Sequence, residues 1–273
     1  MTTTAVYSES LARGISHVSG WANAPAIPGA IENLSMNKGS REGSLATLIR
    51  TSQAYSTLAF FRKNNVAEGK RWASTAAKLQ ILRSFLLPGE MYLVEDLLWP
   101  TLSDNEELID WYCRFDSPYS HHLPEIDNPK SFYFYRYQSF LALNGRWNEL
   151  ADRSRRILAM SDQITRDRSY LIDHEFYLAL ANQKKDEAER VLMEKVAPKA
   201  RRSRYEQQSG MARDFMDTYA TLFAKLAWRR GLQVAPNTPW IAEKLLAVSP
   251  LDEYPDPWPF LAEFDIWQSI PGQ

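Results

Sequence analysis

Phe140-Leu141-Ala142-Leu143 runs into Asn144-Gly145, and Tyr177-Leu178-Ala179-Leu180 runs into Asn182-Gln183. The two stretches stand 37 residues apart (140 to 177). A second helix-periodic stretch follows each turn, Trp147 to Met160 and then Lys185 to Ala197, where one extra turn residue makes the offset 38. Each unit reads as a helix, a tight turn and a second helix. A hairpin of this length buries its apolar face only by stacking on neighbours, the logic of helical repeats with periods in the thirties.

Outward from this pair the same periodicity continues. Ser44 to Asn64 places Leu45, Leu48, Ile49, Tyr55, Leu58 and Ala59 on one helical face. Val66 to Leu87 does so with Trp72, Ala76, Leu79, Leu82 and Phe85 before Pro88-Gly89 stop it. Asp214 to Arg230 reads as a helix ended by Gly231. Pro239 to Val248 reads as a short one capped by Thr238. No run of strict alternation bounded by turn pairs competes. The expected fold is all-α: stacked antiparallel helical hairpins in a tetratricopeptide-like or α-solenoid-like array spanning residues 42–248. Residues 1–41, with Pro25, Pro28, Gly29 and Gly39, read as an irregular arm or short helix. Residues 249–273 form an acidic, proline-rich tail whose Trp258, Phe260, Phe264 and Trp267 are expected to pack on the helices.

The chain of 273 residues has ordinary globular composition, with 45% hydrophobic and 24% charged residues. Its one cysteine, Cys113, rules out an intrachain disulfide and reads as a buried, inert thiol. No signal-peptide pattern opens the sequence and no stretch approaches a membrane span, so a cytoplasmic protein is expected. The net charge of -1 hides an uneven distribution. Between Lys38 and Arg83 nine Lys or Arg face two Glu, a segment of +7; between Pro88 and Asn128 ten carboxylates face Arg114 alone, a segment of -9. Either the two neutralise each other across helix faces or the acidic one is free to attract a basic partner. The stretch Lys195 to Arg204 is the nearest approach to a nucleic-acid-binding basic run, and a solvated helix end explains it better.

Catalytic patterns are wanting. His121 and His122 are adjacent and point apart, and His174-Glu175 lacks a second ligand four residues on, where Leu178 stands, so no zinc site is expected. There is no nucleophile elbow and no glycine-rich phosphate loop. Glu106 with Asp110, or Glu95 with Asp104, could act as acid and base. Their place at a helix start, where Ser103 and Glu106 fit a capping box, accounts for them without chemistry. The aromatic run Phe132 to Tyr137 has core spacing. The expectation is a binding protein with no catalysis and no cofactor.

The run Phe134 to Trp147, the helix Leu222 to Gly231, the stretch Pro236 to Ile241 and Leu251-Asp252-Glu253-Tyr254-Pro255 resemble the all-helical immunity proteins of bacterial polymorphic toxin systems, nearest the family numbered forty-nine. That resemblance implies a cognate toxin as partner, such as a nuclease acting in the cytoplasm, with no direct contact to nucleic acid or membrane. Nuclease active sites tend to be basic. On that reading the contact residues are Glu95, Asp96, Asp104, Glu106, Glu107, Asp110, Asp116, Asp252, Glu253, Asp256 and Trp258. The rival expectation is a tetratricopeptide-like scaffold or regulator that holds a peptide or protein partner.

Overall fold

Ser10, Gly14, Val18 and Ala22 recur every four residues and form the buried stripe of the first helix, α1 (Thr3–Ala22), with Tyr7, Leu11 and Ile15 on its shoulder. The computed structural model describes residues 3–87, 94–114, 123–164 and 168–269. The second helix, α2 (Ile27–Ser35), also lies in the stretch expected to be irregular. Pro28 sits in its first turn, where the missing N–H would have had no partner. Asn37 (φ 51°) and Gly39 (φ 62°) provide its stop. Residues 3–35 thus form two helices where an irregular arm or one short helix was expected.

Next come α3 (Arg41–Phe61) and α4 (Val66–Leu86), which pack as an antiparallel pair. The Ser40 Oγ accepts the Gly43 N–H at 3.1 Å and the Asn65 Oδ1 accepts the Glu68 N–H at 3.0 Å, so each helix start is capped. Helix α3 is buried on nearly every side, Thr51, Ser52, Ser56 and Thr57 included. Its close approach to α4 depends on Gly69, whose absent Cβ would lie 2.3 Å from the Phe60 ring. The Ser56 Oγ donates to the Gly69 carbonyl at 2.8 Å across the same crossing.

Helices α5 (Leu98–Ser103) and α6 (Glu106–Arg114) follow, then a single turn, α7 (Leu123–Ile126). The repeat consists of α8 (Phe132–Leu143) with α9 (Trp147–Ala159), and α10 (Leu171–Ala181) with α11 (Lys185–Lys195). Both turns are Schellman stops: Arg146 N–H donates to Leu141 O and Gly145 N–H to Ala142 O, while Lys184 N–H donates to Ala179 O and Gln183 N–H to Leu180 O. Every equivalent atom is 38 residues apart. The offset of 37 suggested by the matching letters is therefore corrected to 38, with no extra turn residue. Gly145 (φ 66°) and Gln183 (φ 56°) fill the same left-handed position.

Between the two hairpins lies a polar ladder. The Arg153 Nε donates to Gln138 Oε1, whose amide nitrogen lies 3.0 Å from Ser154 Oγ and 3.3 Å from His174 Nδ1. Ser139 and Tyr177 share a hydrogen bond beside it. His174 is fully buried, and desolvation pushes its pKa down to about 3.

A short α12 (Pro198–Ser203) leads to α13 (Thr218–Arg229), capped by the Asp217 carboxylate on the Ala220 N–H and buried from Thr218 to Ala227. It starts four residues later than Asp214 because Asp217 is the cap. From Gly231 to Trp258 the chain is irregular apart from one 3₁₀ turn. The helix expected from Pro239 to Val248 shrinks to one 3₁₀ turn, Glu243–Leu245. There the Trp240 carbonyl accepts the Asp217 N–H at 2.8 Å, tying this segment to the cap of α13 instead of to its own helix. The last turn, α14 (Pro259–Ala262), seats Leu261 with Trp258, Phe260 and Phe264 over Leu45, Ile49 and Leu79. The described residues are thus an all-helical array of helices packed in pairs, without a strand, and none of their helices is long and apolar enough to cross a membrane.

Gly69→Ala forces the Phe60 ring to move and should cost about 1–3 kcal/mol of stability in urea denaturation. Gly20→Ala, with nothing within 4 Å of its Cβ, should instead gain about 0.5–1 kcal/mol. His174 gives a pH signature. Below its unfolded value of 6.5 the unfolded chain takes up a proton that the folded chain refuses, so stability falls as pH falls toward about 3. Between pH 6.5 and 5 the wild type should lose about 2 kcal/mol more than His174→Gln, which keeps an acceptor for Gln138.

Candidate partner-binding face

Asp104 follows directly on α5 in a left-handed conformation (φ 54°) and is completely buried. Its carboxylate takes Lys70 Nζ from α4 at 2.8 Å, Lys225 Nζ from α13 at 2.8 Å and the Ser249 N–H at 3.1 Å. Arg229 stands 3.9 Å away. Burial depresses the Lys225 ammonium to about 8 against the pull of Asp104. Asp104 is therefore withdrawn from any docking surface, and its place is the junction of three segments.

From this junction two acidic stretches emerge on the same side. Asn105 Oδ1, not Ser103, caps α6 by accepting the Glu107 N–H at 3.1 Å; the Ser103 Oγ accepts the Asn105 N–H instead of closing a capping box with Glu106. The tail starting at Ser249 runs back along α6. Tyr254 Oη donates to the Ser103 carbonyl at 2.7 Å, Trp111 Nε1 to the Ile266 carbonyl at 2.8 Å, and Trp267 Nε1 to Glu107 at 3.2 Å. A hollow of about 290 Å³ between them is lined by Glu107, Asp256, Asp265, Tyr254 and Lys78, among others.

The expected contact residues divide accordingly. Glu106 is exposed but held by both Arg229 nitrogens at 3.0 and 2.6 Å, and Asp110 is paired with Arg114 at 2.8 Å. Asp256 is bridged by Lys78 at 2.7 Å. Glu107, Asp252, Glu253, Glu263 and Asp265 are exposed and make no ion pair among the described residues. Glu95 and Asp96 lie away from this face: Tyr219 donates to Glu95 at 3.1 Å and Gln80 to Asp96 at 2.6 Å. Trp258 is half-buried between Trp72 and Phe260, an anchor of the tail. Asp116, like His121 and His122, lies outside the described residues. Charge counting along the chain singles out both acidic segments, Asp265 included, but not Trp267, which was expected to pack on the helices and stands 45% exposed at this face because the tail folds back.

Comparison with family models, with curated proteins and with solved structures gives no match to this chain.

Among the described residues no cluster of His, Cys, Asp and Glu could hold a metal ion. The Cys113 thiol lies 3.4 Å from the Leu143 carbonyl, and burial pushes it up to about 11, far from thiolate reactivity at neutral pH. The face can attract and orient a cationic partner through its carboxylates while Trp267 offers an apolar contact.

Asp104→Asn keeps the left-handed backbone, which Asn tolerates, but removes the charge facing two buried ammonium groups. It should cost about 3–5 kcal/mol, whereas Glu107→Gln on the exposed face should stay within about 0.5 kcal/mol, both read from denaturant midpoints.

Proposed function

We propose that this chain acts by binding, as an antidote of the immunity class that holds a cognate, cytoplasm-acting toxin against its acidic face and occludes the toxin's active site. The observation that supports the reading is the convergence of two sequence-distant acidic stretches, α6 and the tail, around one hollow with Trp267 beside it. Carboxylates of one sign on one face raise the rate of encounter with a basic groove such as that of a nuclease, and an aromatic side chain among them supplies an apolar anchor. The resemblance of Leu222 to Gly231 and of Leu251 to Pro255 to immunity proteins points the same way. No catalytic step and no cofactor are invoked.

A scaffold that holds a peptide is the second reading. A groove of about 800 Å³ between α1 and α12 favours it, with Arg13, Arg201 and Arg202 around Trp240 and the exposed Val6 and Met193. The two readings use opposite charges. Co-expression with the product of the adjacent gene, scored by rescue from growth arrest and by co-purification, tests the first. In the purified pair, reversal of Glu106, Glu107 and Asp110 to lysine should slow association about tenfold or more at low salt and remove most of the salt dependence. Unchanged association rate and affinity defeat the antidote reading through this face, and loss of binding on reversing Arg13 and Arg202 instead supports the scaffold.

A further inference from the structure

Lys195 and Arg204, expected to be solvated, lie in the interior at 5% and 7% exposure. Both donate to the same Asp173 carboxylate oxygen, Arg204 through Nη1 at 2.7 Å. The Arg204 guanidinium is sandwiched between Tyr170 and Tyr219, whose ring centres are 4.5 and 4.3 Å away. Its other edge, Nε and Nη2, is buried and has no hydrogen-bond partner among the described residues. That edge is the one a tetrahedral or planar oxyanion engages with two parallel bonds. Lys195 donates to Asp173 alone among the described residues, and its ammonium lies 4.5 Å from the centre of the Phe223 ring.

Lys195, Arg204 and Tyr219 line a hollow of about 210 Å³ together with Arg168, Ser203, Gln208 and Asp217. Asp217 is matched by Arg201 at 3.5 Å and also accepts from Gln208 at 2.9 Å. Glu95, hydrogen-bonded to Tyr219, feels both Arg136 and Arg204. Asp173 thus faces both Lys195 and Arg204 with a single negative charge, Glu95 adds a more distant one, and Arg168 stands exposed at the rim without an ion pair among the described residues, so positive charge is left over around the hollow. An uncompensated buried charge is costly, and a guanidinium edge without a partner adds to that cost. Desolvation and the repulsion of Arg204 accordingly press Lys195 down to about 8. Roughly seven water volumes of space fit a small anion and exclude a drug-sized ligand.

We propose that this hollow is a binding site for a phosphate-class oxyanion, held by the free edge of Arg204, by Lys195 and by Arg168 at the rim. It lies apart from the acidic face and is independent of the antidote reading. The test is calorimetric titration of the full chain with inorganic phosphate at pH 7, with sodium acetate and sodium chloride at matched ionic strength as comparison anions and O-phosphoserine as a phosphomonoester. Saturable one-site binding of inorganic phosphate or O-phosphoserine, tighter than acetate, is expected, and the tighter of the two distinguishes a free anion from a phosphomonoester. Arg204→Lys keeps the charge but loses the fork, and should weaken binding about tenfold or more. Because Arg204 is interior, Arg168→Gln on the exposed rim keeps the question answerable even if the first variant misfolds, and should weaken binding about threefold. No saturable phosphate binding, acetate binding as tightly as phosphate, or wild-type affinity in Arg168→Gln overturns the proposal.

Discussion

A single carboxylate with no exposure to water, Asp104, ties together parts of the chain that are 34, 121 and 145 positions away from it. A buried carboxylate has few acceptable surroundings. In a low-dielectric interior it must be met by opposite charge and by hydrogen bonds on its lone pairs. Here the partners come from α4, α13 and the first residue of the tail. Moving any of them away would leave a buried lone pair or a buried N–H group without its partner, so the position of each segment relative to the others is set by geometry at a few oxygen atoms. Hydrophobic packing alone would tolerate sliding; charge pairing at 2.8 Å does not. The same device recurs at Asp173, which binds Lys195 and Arg204, and at Asp217, which caps α13 while holding Gln208.

The candidate face inherits its shape from that junction. Helix α6 begins two residues after Asp104, and the tail begins at Ser249, whose N–H the same carboxylate holds. Two acidic stretches therefore leave one point and run side by side, which like charges would resist if nothing compelled it. The opposition is met by Tyr254, Trp111 and Trp267, whose hydrogen bonds join tail to helix, and by the aromatic packing of Phe85 on Phe264. Lys78 and Arg229 lower the repulsion locally by taking Asp256 and Glu106.

Periodicity made α3, α4 and the two hairpins legible because their buried faces are built of leucine, isoleucine and aromatics. Helix α1 escaped the same reading because its stripe is Ser10, Gly14, Val18 and Ala22, small residues chosen for close approach: a Cβ on Gly14 would lie 2.7 Å from the Phe215 ring. Helix α2 escaped because Pro28 and Gly29 signal a loop unless the proline is known to sit in the first turn. The repeat was visible but misregistered by one residue, since letters in the first helix match at 37 while the hydrogen-bonded turns match at 38. Charges were legible as blocks and illegible as pairs. Which cation meets which carboxylate depends on helices that are far apart in the chain.

That last gap decides how the charge blocks should be understood. In the ion pairs among the described residues, Lys70 of the basic block takes Asp104 of the acidic block and Lys78 takes Asp256 of the tail. Neutralisation of one block by the other is therefore real but partial. Internal pairing consumes the carboxylates nearest the junction and leaves Glu107, Asp252, Glu253, Glu263 and Asp265 on the outside. A net charge of -1 is compatible with a strongly polar surface for this reason: the cancellation is in the sum, not in space. Exposed carboxylates without internal partners add little to stability, since even well-placed surface pairs contribute about 0–1 kcal/mol. What they do affect is the approach of another charged body, over a range of about 8–10 Å at physiological salt.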